Sequence, residues 1–330
     1  MNSTLFRIIF LGILLFVLFV SDILLGSVKI PISEFFAYLT GHPFSHASYK
    51  TILLEYRIPK ALTACIAGSA LAVSGLLMQS FFRNPLAGPY VLGISSGASL
   101  GVALLLLFFS GTFLFSVPLA ASFGSFFILL LIIWAAKRFK SSVGLLILGL
   151  MISYLTSALV GILQYFATSE EIQSFVLWGM GSFAKTQWTD LVFMLPVLGI
   201  GILFAYSRSK TLNSLLLGES YAQSLGVSLK KIRFEILCLL GVLVAWVTAY
   251  CGPIAFIGMA VPHLVRIVVE ESDHRITIPL VALTGACVAL FCDMLAQVPG
   301  FDFVLPINSI TCLFGAPFVI FYLLKKNRIG

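Results

Sequence analysis

The chain has 330 residues, of which 60% belong to the hydrophobic set and 10% are charged. A water-soluble domain carries about 25% charged residues because its surface must face solvent, so a soluble globular enzyme is excluded. The net charge of +7 arises from 20 basic and 13 acidic residues, and the basic ones lie between apolar runs, not in the concentrated stripe that a nucleic-acid partner requires.

A bilayer core of about 30 Å takes roughly 20 apolar residues per helix. Runs of that kind occupy 5–25, 61–81, 91–109, 113–134, 143–166, 190–207, 234–251, 254–269, 276–298 and 306–324. The expected fold is therefore all-α: one polytopic membrane domain over 1–330 with ten transmembrane helices. The first run is preceded only by Arg7 and lacks a small-x-small cleavage site, which predicts a retained helix and not a signal peptide. In the second run Gly68, Ser69, Ala72 and Gly75 recur at helical spacing, and their missing bulk lets helices approach closely in lipid.

After the second run the chain reads Gly88-Pro89-Tyr90-Val91-Leu92-Gly93, and after the seventh Gly252-Pro253-Ile254-Ala255-Phe256-Ile257-Gly258. The two runs would cross in opposite senses, so the stretches predict an inverted internal repeat, a transporter signature when Gly/Pro interrupts the helices. Between the sixth and seventh runs lies the longest polar segment, 208–233, where 219–225 can form a short helix closed by Gly226, a residue that tolerates positive φ at the C′ position. In the eighth run His263 is expected to be a hydrogen-bonded helix-end residue. Asp293, the one acidic residue well inside a run, is expected to be bonded within the bundle, because an intramembrane carboxylate is costly when unpaired.

With the N-terminus inside, fifteen basic residues collect on one side of the membrane and five on the other: Lys29, Lys50, Arg57, Lys60 and Lys185. That bias predicts both termini in the cytoplasm. The six cysteines, Cys65, Cys238, Cys251, Cys287, Cys292 and Cys312, show no CxxC or Cys/His metal spacing and read as small packing residues. No GxxxxGK[ST] loop is present, so any ATP must be used by another chain, and no cofactor is expected.

Four blocks resemble the permease subunits of ABC importers for iron-siderophores, haem and cobalamin, the FecCD family. They are Arg57-Ile58-Pro59-Lys60 leading into Ala67-Gly68-Ser69-Ala70-Leu71-Ala72-Val73-Ser74-Gly75; Phe82-Arg83-Asn84-Pro85-Leu86-Ala87-Gly88-Pro89 with Leu92-Gly93-Ile94-Ser95-Ser96-Gly97-Ala98; Gly252-Pro253 through Val261-Pro262-His263 and Arg266; and Gly315-Ala316-Pro317-Phe318. The resemblance implies a multi-pass inner-membrane permease, a homodimer or a pair with a second permease. Its expected partners are two cytoplasmic ATP-binding subunits and an extracytoplasmic substrate-binding protein.

The resemblance also assigns residues. Arg57 and Lys60 would dock the binding protein, while Gly218, Glu219, Ser220, Ala222, Leu225 and Gly226 would seat in the ATPase. Asn84, Leu86, Ser141 and Ser142 would close the cytoplasmic end of the pathway, and the segment 175–182, with Trp178, would form a short external helix. The implied cargo is an iron chelate or haem, with cobalamin as the alternative. An ion-gradient-driven secondary transporter is the reading from another class, which an inverted repeat alone equally permits.

Overall fold

The computed structural model describes residues 2–26, 28, 30–31, 33–35, 40, 44–85, 87–109, 116–138, 142–269, 271–297 and 303–326. Helices follow the apolar runs closely: α1 (Asn2–Leu24), α2 (Ala47–Phe82), α3 (Ile94–Phe108), α4 (Val117–Ala136), α5 (Ser142–Phe166), α6 (Ser169–Gly179), α7 (Trp188–Ser207), α8 (Ser209–Leu216), α9 (Glu219–Ser224), α10 (Leu229–Cys251), α11 (Ile257–Val269), α12 (His274–Ala296) and α13 (Ile307–Lys326). Among the described residues no strand occurs. Seven helices are long and apolar enough to cross a membrane, and three shorter apolar ones accompany them, at Ile94–Phe108, Ile257–Val269 and Ile307–Ile320. Large side chains such as Phe6, Phe16, Phe123, Tyr154, Tyr165 and Phe193 are exposed on the outside of the bundle, a surface that suits lipid and not water.

The centre is α2, which packs against α10, α11, α12 and α7. The expected small-residue stripe makes this possible. A Cβ on Gly68 would strike the carbonyl of Gly285 in α12, and one on Gly75 would strike the backbone of Gly258 in α11. Gly258 is equally confined, since its Cβ would lie 2.7 Å from Pro89 and 2.9 Å from the Leu71 carbonyl. Backbones in such contact gain dispersion and carbonyl contacts, the terms that drive helix association where lipid removes the hydrophobic one. The two halves interlock: α2 packs on α11 and α12, while α10 packs on α3 and α4.

At one end of the bundle a charged cluster joins α1, α2 and α12, and it contains Arg57 and Lys60, the two residues expected to dock the binding protein. Arg57 and Lys60 are 6% and 7% exposed. Arg57 ends a widened, π-helical stretch, Ile52–Arg57, and its guanidinium donates to the carbonyls of Ile23 and Leu24, each at 2.9 Å, and of Val28. It thus caps the C-terminus of α1, whose last carbonyls lack helical partners. Lys60 Nζ lies 3.2 Å from Asp22 and 2.7 Å from Asp293, and Gln297 Nε2 donates to both carboxylates at 2.9 Å. Lys60 thus meets two buried carboxylates, while Arg57 meets three backbone carbonyls, and both side chains turn inward to these partners. Asp293 is bonded inside the bundle, as expected.

Substitutions at the glycine seam and in the charged cluster test this account. Gly75→Ala overpacks the α2–α11 contact and should cost about 1–3 kcal/mol, read as a lower thermal midpoint in detergent. Gly161→Ala, at a glycine with open space around it, should leave the midpoint unchanged. Lys60→Met strands two buried carboxylates and should destabilise by about 3–5 kcal/mol. Adding Asp22→Asn and Asp293→Asn should restore part of that loss.

Candidate functional site

The 208–233 segment forms the most elaborate polar surface of the molecule. After α7, the short helices α8 and α9 are separated by Gly218, whose φ of +127° is a conformation open to glycine alone. The chain leaves α9 as expected. Gly226 adopts φ +81°, its N–H donates to the Gln223 carbonyl at 2.9 Å, and Val227 N–H donates to the Ala222 carbonyl at 3.0 Å. These two bonds are the Schellman closure, which satisfies carbonyls that a helix end leaves open. Ala222 is fully buried, whereas Leu217 and Leu225 are 69% and 60% exposed, with Leu216 and Tyr221 also at the surface. The segment therefore presents apolar side chains outward from a polar loop.

Three ties hold the segment to the bundle. Arg83, the residue after α2, takes a left-handed conformation (φ 49°) and donates from Nη2 to the Leu215 carbonyl at 2.9 Å. Arg233 at the start of α10 pairs with Glu219 at 2.8 Å. Asn213 of α8 donates to Asp273 at 2.7 Å and accepts from the backbone N–H of His274 at 2.9 Å, at the start of α12. The Asn213 amide, with the Arg275 backbone N–H, holds the Asp273 carboxyl below its usual range. A further pair, Arg208–Glu235 at 2.8 Å, joins the α7 end to α10. Movement of α8–α9 must therefore pull on α2, α10 and α12 together.

Of the residues expected to close the pathway, Asn84 lies in the turn after α2, where its carbonyl accepts from Ala87 N–H at 3.0 Å. Leu86 and Ser141 lie outside the described residues, and Ser142 opens α5. His263 Nε2 donates to the Pro85 carbonyl at 2.6 Å and so fixes this turn against α11; it is hydrogen-bonded as expected, but lies in the middle of α11 and not at a helix end. The short helix expected around 175–182 is α6, opened by a capping box between Thr168 and Glu171, with Trp178 buried and Trp188 donating to the Leu54 carbonyl at 2.8 Å.

Sequence reasoning missed three of these contacts: Arg83 with Leu215, Asn213 with the start of α12, and Arg57 with α1. Each joins residues remote in the chain, and the Arg83 and Arg57 contacts end on backbone carbonyls, which no side-chain pattern marks. Among the described residues the cysteines are free and no cluster of metal-ligating side chains occurs.

Comparison with known proteins adds relatives over nearly the whole chain. It is 35% identical over 328 residues to the hemin transport system permease protein HmuU of Yersinia pestis, covering 97% of this chain and 95% of that protein. It is 36% identical to the molybdate import system permease protein MolB of Haemophilus influenzae, over 84% of this chain and 83% of that one. It is also 35% identical to the vitamin B12 import system permease protein BtuC of Shigella sonnei, over 83% and 84%. A solved structure of a metal-chelate type ABC transporter in an inward-facing conformation superposes with a TM-score of 0.86 at 31% identity, covering 96% of this chain and 98% of that one. Residues 13–326 match the FecCD transport family, and the chain belongs to that family.

Proposed function

We propose that the chain is the permease subunit of a binding-protein-dependent ABC importer, carrying an iron chelate, as an iron-siderophore or haem, across the bacterial inner membrane. The observation that carries this reading is the α8–α9 segment: a short helix with exposed Leu217 and Leu225, tied by Arg83, Arg233 and Asn213 to three helices of the bundle. That is the form of a lever. The force would come from cytoplasmic ATP-binding subunits seated on Gly218, Glu219, Ser220, Ala222, Leu225 and Gly226, and no covalent chemistry falls to this chain.

In this reading the seven long and three short apolar helices are ten spans with both termini cytoplasmic. The halves α2–α5 and α10–α13 form an inverted repeat, supported by their reciprocal packing. A second permease, a homodimer mate, completes the pathway, and Asn84, Leu86, Ser141 and Ser142 close its cytoplasmic end. The family membership removes the support for an ion-gradient-driven secondary transporter.

Docking of the external binding protein is proposed to fall on Lys50 and Lys185, which are exposed, because Arg57 and Lys60 are consumed in the interior. The haem or iron-chelate cargo is favoured by the hemin permease, similar over 97% of this chain. Cobalamin is the second reading, favoured by the vitamin B12 permease at the same identity over a shorter span.

Reconstitution with the cognate ATPase and binding protein tests the whole assignment. Haem or ferric-siderophore uptake should depend on ATP, and uptake of cobalamin or molybdate alone would overturn the cargo. Leu217→Ser with Leu225→Ser should weaken association with the ATPase by about 1 kcal/mol or more per truncated side chain and abolish uptake while the permease stays folded. Lys185→Glu should slow association of the binding protein, with a dependence on ionic strength; an unchanged association rate would move docking elsewhere.

A further inference from the structure

Where the α8–α9 segment meets the bundle, a chain of hydrogen bonds runs past the start of α12 and into α2. Asn213 of α8 accepts at Oδ1 from the backbone N–H of His274 at 2.9 Å, and its Nδ2 donates to Asp273 at 2.7 Å, so the orientation of the amide is fixed. His274 Nδ1 lies 2.7 Å from the same Oδ1. An amide oxygen can only accept. Nδ1 therefore carries a proton, and in the neutral ring Nε2 is left as the acceptor. The partner of Nε2 is Ser80 Oγ of α2, at 2.8 Å. His274 and Ser80 are both buried.

Ser80 has one hydroxyl proton and two acceptors for it. Its Oγ lies 2.8 Å from the Leu76 carbonyl, one turn back in α2, and 2.8 Å from His274 Nε2. Turned to Nε2, the hydroxyl closes a line Asn213–His274–Ser80 from α8 through α12 to α2. Turned to Leu76, it stays within its own helix and the line opens. The Leu76 carbonyl loses little in the closed state, because in an α-helix it already accepts from the backbone N–H four residues on, which is that of Ser80. Nε2, in contrast, has no donor from Ser80 in the open state, so the closed state is favoured. A movement that draws α12 away from α2 is met by rotation of one hydroxyl. Coupling between distant sites needs an element with two discrete arrangements that both sites bias, and this hydroxyl has two.

We propose that Ser80 and His274 are positioning residues of the transport cycle, in which the Ser80 hydroxyl acts as a clutch. It joins α2 to the α8–α9 lever while it faces His274 and releases α2 when it turns to Leu76. The clutch rests on the reading of α8–α9 as the segment that the ATP-binding subunits move.

The test uses the full chain in proteoliposomes with its ATPase and binding protein, supplied separately with haem, a ferric siderophore, cobalamin and molybdate. Uptake of the cargo that the parent imports is read together with ATP hydrolysis and the thermal midpoint. Ser80→Ala should lower uptake per ATP hydrolysed by about twofold to tenfold, the worth of one net hydrogen bond. Ser80→Thr keeps the hydroxyl, has a cavity of about 330 Å³ beside it for the added methyl group, and should recover the parent ratio. His274→Asn keeps an amide donor for Asn213 but is too short to reach Ser80. It opens the same joint, so combining it with Ser80→Ala should be no worse than the poorer single variant. Ser74→Ala removes the same kind of bond within α2, to the Ala70 carbonyl, and should leave the ratio unchanged. An unchanged ratio in Ser80→Ala, whatever its thermal midpoint, would overturn the clutch, as would a loss that Ser80→Thr does not recover or losses that multiply in the double variant. Where another variant does not fold, Ser80→Ala alone decides. A parent that imports none of the four cargoes on ATP would sink the importer reading itself and the clutch with it.

Discussion

The contact between the backbones of α2, α11 and α12 is the constraint on which the rest of the structure depends. In lipid the aliphatic face of a helix gains little by leaving its surroundings, so association must come from close approach and polar contacts. Gly68 against Gly285 and Gly75 against Gly258 allow that approach, and they place it at the middle of α2, the helix that meets both halves of the chain. The interlocking of the halves follows from this placement. Once α2 is seated on α11 and α12, Pro89 lies on Gly258, and the break after α2 becomes part of the wall beside α11.

Charge is handled in two ways at the two ends of α2. At its start, Lys60 and Arg57 are buried with Asp22, Asp293 and backbone carbonyls, an arrangement that is expensive to form and more expensive to break by removing one partner. Such a cluster fixes α1 and α12 on α2. At its other end Arg83 sits in a left-handed turn and reaches a single carbonyl of α8. A single hydrogen bond is worth about 0.5–1.5 kcal/mol net, so this end can be released while the charged end stays clamped. In the proposed importer, that asymmetry would let the α8–α9 end move while the charged end holds.

Much of this was legible in the sequence. Apolar length set the helices, because a span needs a run of fixed size, and glycine at helical spacing set the seam. The closure at Gly226 was legible because few residues tolerate its backbone conformation, and the bonded states of Asp293 and His263 followed from the cost of leaving them unpaired. The burial of Arg57 and Lys60 was not legible, for an equally physical reason. A cation at a helix end looks the same in sequence whether it reaches headgroups or turns inward, and the difference lies in Asp22 and Asp293 on other helices. The tie of Arg83 was illegible because its partner is a backbone carbonyl, which every residue carries, and that of Asn213 because its partners Asp273 and His274 lie some sixty residues away.

The scarcity of charge therefore has a sharper meaning than the exclusion of a soluble fold. Where charges occur inside the bundle around α2 they are neutralised, as Lys60 is by Asp22 and Asp293.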